Sequence, residues 1–147
     1  MSLLEQMNTS MKEAMRAKDS LRLNAIRLVK SSIKNKEIEA RKEFDDQEVI
    51  GVLSSLVKQR RESAQVYRDN GRIDLAEKEE KELAVIQEFL PRQIGEEEIK
   101  AIIEEAVLET GAASMRDMGK VMKIVTGKTV GCADGRLVSE LVKTRLA

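Results

Sequence analysis

Histidine is absent from this 147-residue chain. Its absence removes the commonest general base and the commonest zinc ligand together. Aromatic side chains are confined to Phe44, Tyr67 and Phe89, and Pro91 is the sole proline. Strand-rich folds draw on aromatic and β-branched residues. This chain draws on Leu, Ala, Glu, Lys, Arg and Met instead, which favour helices. A single cysteine, Cys132, excludes an internal disulfide. No apolar run approaches the roughly 20 residues that span a bilayer. The opening Ser2-Leu3-Leu4-Glu5 lacks a basic-then-apolar export signal. These absences lead to the expectation of a soluble, cytoplasmic, all-α protein.

What is present agrees with helices that each bury one stripe. Hydrophobic residues make up 41% of the chain, enough for a core, and charged residues 35%, enough to wet the remaining faces. Leu3, Met7, Met11 and Met15 recur every four residues and predict a first helix. After Ala17-Lys18-Asp19, a second helix carries Leu21, Ala25, Leu28, Val29 and Ile33, with Asp19 or Ser20 as its cap. Asp45 with Glu48 makes a capping-box pattern for a third helix, whose stripe runs Val49, Leu53, Leu56, Val57, Arg60, Ala64 and Tyr67. Asn70-Gly71 ends that helix. A fourth runs from about Asp74 to Leu90 with Leu75, Leu83, Ile86 and Leu90 on one face, and Pro91 breaks the chain.

Beyond Pro91 the elements shorten. Gly95 stands at a cap position, flanked by Ile94 and Ile99 as a hydrophobic staple, before a fifth helix closed by Gly111. Ser114 and Asp117 form another cap pair ahead of a short sixth helix with Met118, Val121, Met122 and Val125, expected to close at Gly127. Asp134 caps a last helix with Leu137, Val138, Leu141, Val142 and Leu146. The expected organisation is an N-terminal bundle of about four helices, residues 1–91, then a small three-helix domain, residues 92–147.

Charge balances in sum, 26 basic against 26 acidic residues, but it is sorted along the chain. Residues 12–36 hold eight basic residues against Glu13 and Asp19, residues 74–105 hold eleven acids, and residues 111–147 hold seven basic residues against three acids. Arg27, Lys30 and Lys34 share one helix face, as do Lys120 and Lys123. Such clusters suit phosphates. On charge alone, a solvated face set against an acidic helix is the favoured reading.

The sequence offers little that reacts. Glu77, Glu79, Glu80 and Glu82, interleaved with Lys78 and Lys81, read as an exposed helix face and not as paired carboxylates across a pocket. Cys132 has no histidine to activate it, so it reads as an inert thiol. Gly127, Gly131 and Gly135 fit neither phosphate-loop pattern, and no strand precedes them. The methionine stripes Met7/Met11/Met15 and Met115/Met118/Met122 are core-forming by spacing, although methionine also serves adaptable binding faces. No catalytic, cofactor-binding or metal-ligating set is assigned.

Four stretches together resemble the YqeY family: RLNAIRLVKSSIKNKEIEARKE at 22–43, KQRRESAQVYRDNGRIDLAEKEEKELAVIQEFLPRQIGEEEI at 58–99, SMRDMGKVMKIV at 114–125 and GCADGRLVSELVK at 131–143. That family is similar to the C-terminal tail of GatB, the B subunit of the glutamine-dependent amidotransferase that corrects misacylated tRNA. The resemblance implies two helical lobes and a tRNA-facing surface on the small one. Its basic members would be Lys120, Lys123, Lys128, Arg136 and Lys143. It carries a carbon–nitrogen ligase label, but this chain has no room for GatB's catalytic part. Two departures stand out: Cys132 replaces a usual arginine, and Thr126-Gly127 replaces a common proline. The expected role is an accessory module for tRNA or an aminoacyl-tRNA complex. The alternative is a protein-interaction adaptor without RNA binding.

Overall fold

The structure, a computed structural model, describes residues 2–147. Among these residues it is all-helical with no strand: α1 (Leu3–Ala17), α2 (Ser20–Ala40), α3 (Asp46–Asp69), α4 (Ile73–Gln87), α5 (Glu96–Thr110), α6 (Met118–Thr129) and α7 (Gly135–Leu146), with a 3-10 turn, Met115–Asp117, ahead of α6. The chain divides into two compact units, one ending at Leu90 and one spanning Pro91–Ala147.

In the first unit, local chemistry sets the helix ends. Ser2 and Glu5 form a reciprocal capping box on α1, and Asp45 and Glu48 form another on α3. The Asp19 carboxylate accepts the Arg22 N–H at 3.1 Å and starts α2. Gly71, with φ of 75°, takes the left-handed step that lets α4 fold back along α3. The core draws on Met7, Ile26, Val29, Leu53, Ile86 and Phe89.

Three details differ from the sequence expectation. Met15 is 51% exposed, and Ala14 is buried in its place. A strict four-residue repeat drifts roughly 40° per step on a 3.6-residue helix, so the stripe leaves the core by Met15. On α2 the buried face is Ala25, Ile26, Val29 and Ile33, which turns Leu28 outward. Helix α4 stops at Gln87, and Glu88, Phe89 and Leu90 wind on through tighter i to i+3 hydrogen bonds. The residue before a proline is disfavoured in the helical region, which ends the winding at Leu90.

The second unit has its own core, with Ile99 and Ile103 from α5, Val121 and Val125 from α6, and Val138 and Val142 from α7. Gly111, at φ of 68°, closes α5. Gly127 does not close α6, which continues to Thr129. Thr129 is buried and its Oγ1 donates to the Val125 carbonyl at 2.9 Å, so the last turn stays inside the core. The left-handed residue is Gly131, at φ of 78°.

Candidate nucleic-acid interface

The five cations singled out above lie on α6 and α7. Lys120 and Lys123 are one turn apart on the face of α6 opposite Val121 and Val125, and both are exposed. Arg136 and Lys143 are two turns apart on the outer face of α7, with Glu140 between them. Lys128 departs from this set: it lies nearer the α5 flank, and its Nζ is 3.8 Å from a Glu105 oxygen. The structure therefore forms two outward pairs of cations and draws the fifth towards an acid.

The charge arrangement follows from which helix carries acids. Helix α5 opens with Glu96, Glu97 and Glu98, which suit the positive end of a helix. Its acids engage nearby cations: Glu98 pairs bidentately with Arg92 at 2.9 and 3.1 Å, Glu96 with Lys100 at 3.3 Å, and Glu104 with Arg145. The Arg145 guanidinium holds the Glu104 carboxyl below its ordinary range, and Arg92 does the same to Glu98. Arg116, Lys120, Lys123, Arg136 and Lys143 have no ion-pair partner among the described residues. Two nearby acids are engaged with backbone: Asp134 accepts the Arg136 N–H at 3.0 Å, and Asp117 accepts the Ala113 N–H at 3.0 Å. That Ala113 bond is the main reason the Asp117 carboxyl sits below its ordinary value, with Lys120 adding a smaller pull.

The glycine-bearing loop does not form a phosphate cradle. The N–H groups of Val130, Cys132 and Ala133 all donate to carbonyls of α6. On its other side, the Ile94 N–H donates to the Cys132 carbonyl at 3.0 Å and Gln93 Nε2 to the Gly131 carbonyl at 2.7 Å. The loop is a structural strap that ties the Pro91–Gly95 segment to the turn before α7. Cys132 is half-buried within that strap.

One cluster in the first unit was read wrongly from sequence. Glu82 is buried, not part of a solvated face. Its carboxylate takes Arg60 Nη1 at 2.5 Å, and Glu79 takes the same nitrogen at 3.1 Å. Two turns further along α3, Arg68 grips Glu80 through two 2.8 Å bonds. Alternating acids and lysines on α4 gave no sign of which acids face α3. The available signal was Arg60 itself, a cation inside an otherwise apolar stripe, which requires a buried partner. This is a helix-to-helix clamp between α3 and α4. Among the described residues, no group of three or more Asp, Glu or Cys side chains is placed to hold a metal ion.

Comparison with known proteins agrees with the resemblance. The model of the family described as Yqey-like protein matches residues 4–146. Curated relatives share the name "Altered inheritance of mitochondria protein 41, mitochondrial". That of Vanderwaltozyma polyspora is 38% identical over 116 residues, which is 74% of this chain and 62% of the relative. That of Lachancea thermotolerans is 43% identical over 81 residues, 54% of this chain and 43% of the relative. That of Pyrenophora tritici-repentis is 31% identical over 147 residues, covering 96% of this chain and 79% of the relative. The chain spans only part of these relatives, 62% and 43% of the first two. Their names overturn the cytoplasmic location expected from sequence, because they place the relatives in mitochondria. That expectation rested on what the chain lacks, and a helical core and a charged surface carry no compartment address. With the family model matched across both units, the chain belongs to the Yqey-like protein family.

Proposed function

We propose that the protein is an accessory module that binds tRNA through the outer faces of α6 and α7, with the first unit serving as a four-helix bundle and the second as a three-helix RNA-facing domain. The observation that carries this reading is the sorting of charge in the second unit. Arg92, Lys100, Lys128 and Arg145 are paired with acids of α5 or its first turn, whereas Arg116, Lys120, Lys123, Arg136 and Lys143 face solvent without a partner. Free cations on outer helix faces are what a phosphate backbone recruits. The similarity of the family to the GatB tail supports tRNA as the polyanion and an amidotransferase-type complex as its setting. Amidation itself falls to a partner, since the cations here bind and do not react.

The test is tRNA binding over a salt series. A Lys120→Glu/Lys123→Glu variant should bind more weakly and lose about two units of the slope of log affinity against log salt, one per phosphate contact. Absence of any tRNA binding at low salt would remove the proposal. A second reading, docking on another protein, has one observation in its favour: Leu108 on α5 is 81% exposed among acids. Copurification of a stoichiometric protein that survives nuclease and is lost in Leu108→Ser would favour it.

A further inference from the structure

The first unit presents a separate cationic surface on α2. This helix buries Ala25, Ile26, Val29 and Ile33. On the opposite side Arg27, Ser31, Lys34 and Ile38 follow at i, i+4, i+7 and i+11, with Asn24 before them and Arg41 at the helix end. All six are exposed. At about 1.5 Å per residue the stripe runs roughly 25 Å.

No acid of α2 lies within this stripe, although Glu82 of α4 lines the groove beside Asn24 and Arg27, and Glu37 the groove beside Ser31 and Lys34. Of the two acids of α2, Glu37 accepts the Phe44 N–H at 2.8 Å, and Glu39 lies on another flank by periodicity. Cations at either end of the helix do find acids: Arg22 pairs with Glu88 at 2.6 Å and Lys42 with Glu48 at 2.7 Å. Arg27, Lys34 and Arg41 have none among the described residues. The chain as a whole carries as many acids as bases, so the gap is local and not a result of composition.

The residues between the cations narrow the partner. Asn24 and Ser31 are neutral and can donate hydrogen bonds to phosphate or ribose oxygens. No aromatic side chain lies on α2, so the face cannot stack on unpaired bases as single-strand binders do. Ile38 is the one apolar member of the stripe, at 63% exposure. A helix that lies in a lipid surface needs a broad apolar face, and α2 exposes only Ile38 and, on the neighbouring flank, Leu28, its other large apolar side chains being buried or partly buried. We infer that the outer stripe of α2 binds base-paired nucleic acid along its phosphates, independently of base sequence. The surface belongs to the first unit and does not depend on the cations of α6 and α7.

The experiment uses the full chain and two labelled RNA duplexes of unrelated sequence, with anisotropy read over a salt series. Arg27→Glu/Lys34→Glu is compared with the parent, and both are repeated in the Lys120→Glu/Lys123→Glu background. Circular dichroism confirms that each variant is folded. The expected result is at least a tenfold loss of affinity on both duplexes and a slope reduced by about two, in either background. Ile38→Ser should leave binding unchanged. An unaltered slope for Arg27→Glu/Lys34→Glu overturns the inference, even where the α6 variant weakens binding and the proposed tRNA role stands. Tighter binding to phosphatidylserine vesicles than to either duplex, lost in Arg27→Glu/Lys34→Glu or in Ile38→Ser, also overturns it.

Discussion

Arg60 projects from α3 into an otherwise apolar stripe and is held by two carboxylates of α4. Its side chain is 15% exposed and that of Glu82 12%, so water screens the pair little. Removing one partner leaves an uncompensated charge, whereas replacing the whole set with apolar residues removes the desolvation cost as well. Arg60→Met should therefore destabilise the protein by about 3 kcal/mol. The triple change Arg60→Met/Glu79→Gln/Glu82→Leu should recover most of that loss. Urea unfolding measures both, and a triple variant weaker than the single one would contradict this account. At this scale sequence reading was least secure. The helix of Glu82 was legible but its burial was not, because burial depends on which acid meets Arg60 across the pair. Met15 and Leu28 failed for a related reason: their spacing fits a helix, yet only packing decides where an apolar stripe stops.

Elements were more legible, because their ends are set by neighbours in sequence. The Asp45/Glu48 box, the Asp19 cap, and the stops at Gly71 and Gly111 all follow from local hydrogen bonding or backbone freedom. Gly127 is the instructive exception. It looks like a stop, but Thr129 is pulled into the core and the helix continues through the glycine. A Cβ at Gly127 meets nothing within 4 Å. Gly127→Ala should thus stabilise the second unit by about 1 kcal/mol through helix propensity alone. Gly131→Ala should do the reverse, by about 1–2 kcal/mol, since φ there is 78°. Thermal melts of the two variants should move in opposite directions, and a parallel shift would show that α6 ends earlier than described.

The molecule as a whole relies on two cores that share no residues. It also carries ion pairs whose acids are shifted in one direction. Glu80, Glu98 and Glu104 are all held below the ordinary value of 4.5 by the arginines beside them. A carboxyl lowered in the folded state adds stability above its unfolded value and loses it as pH falls through the folded value. Melting temperature should stay level from neutral pH down to about 5 and decline below about 4.5, with each exposed pair contributing little. A melting temperature that rises on acidification below that point would contradict these shifts. The all-helical class was legible at this scale from composition, because the lack of aromatic residues and proline leaves few alternatives. The compartment was not, because nothing in a packed helix encodes where the protein resides.

The separation of acids onto α5 and unpaired cations onto α6 and α7 gives the second unit an electric dipole moment despite the chain's zero net charge. In the field of any polyanion such a unit experiences a torque before it experiences contact. It turns its cationic helices forward during approach, so a neutral protein gains orientational steering that weakens as added ions shorten the Debye length.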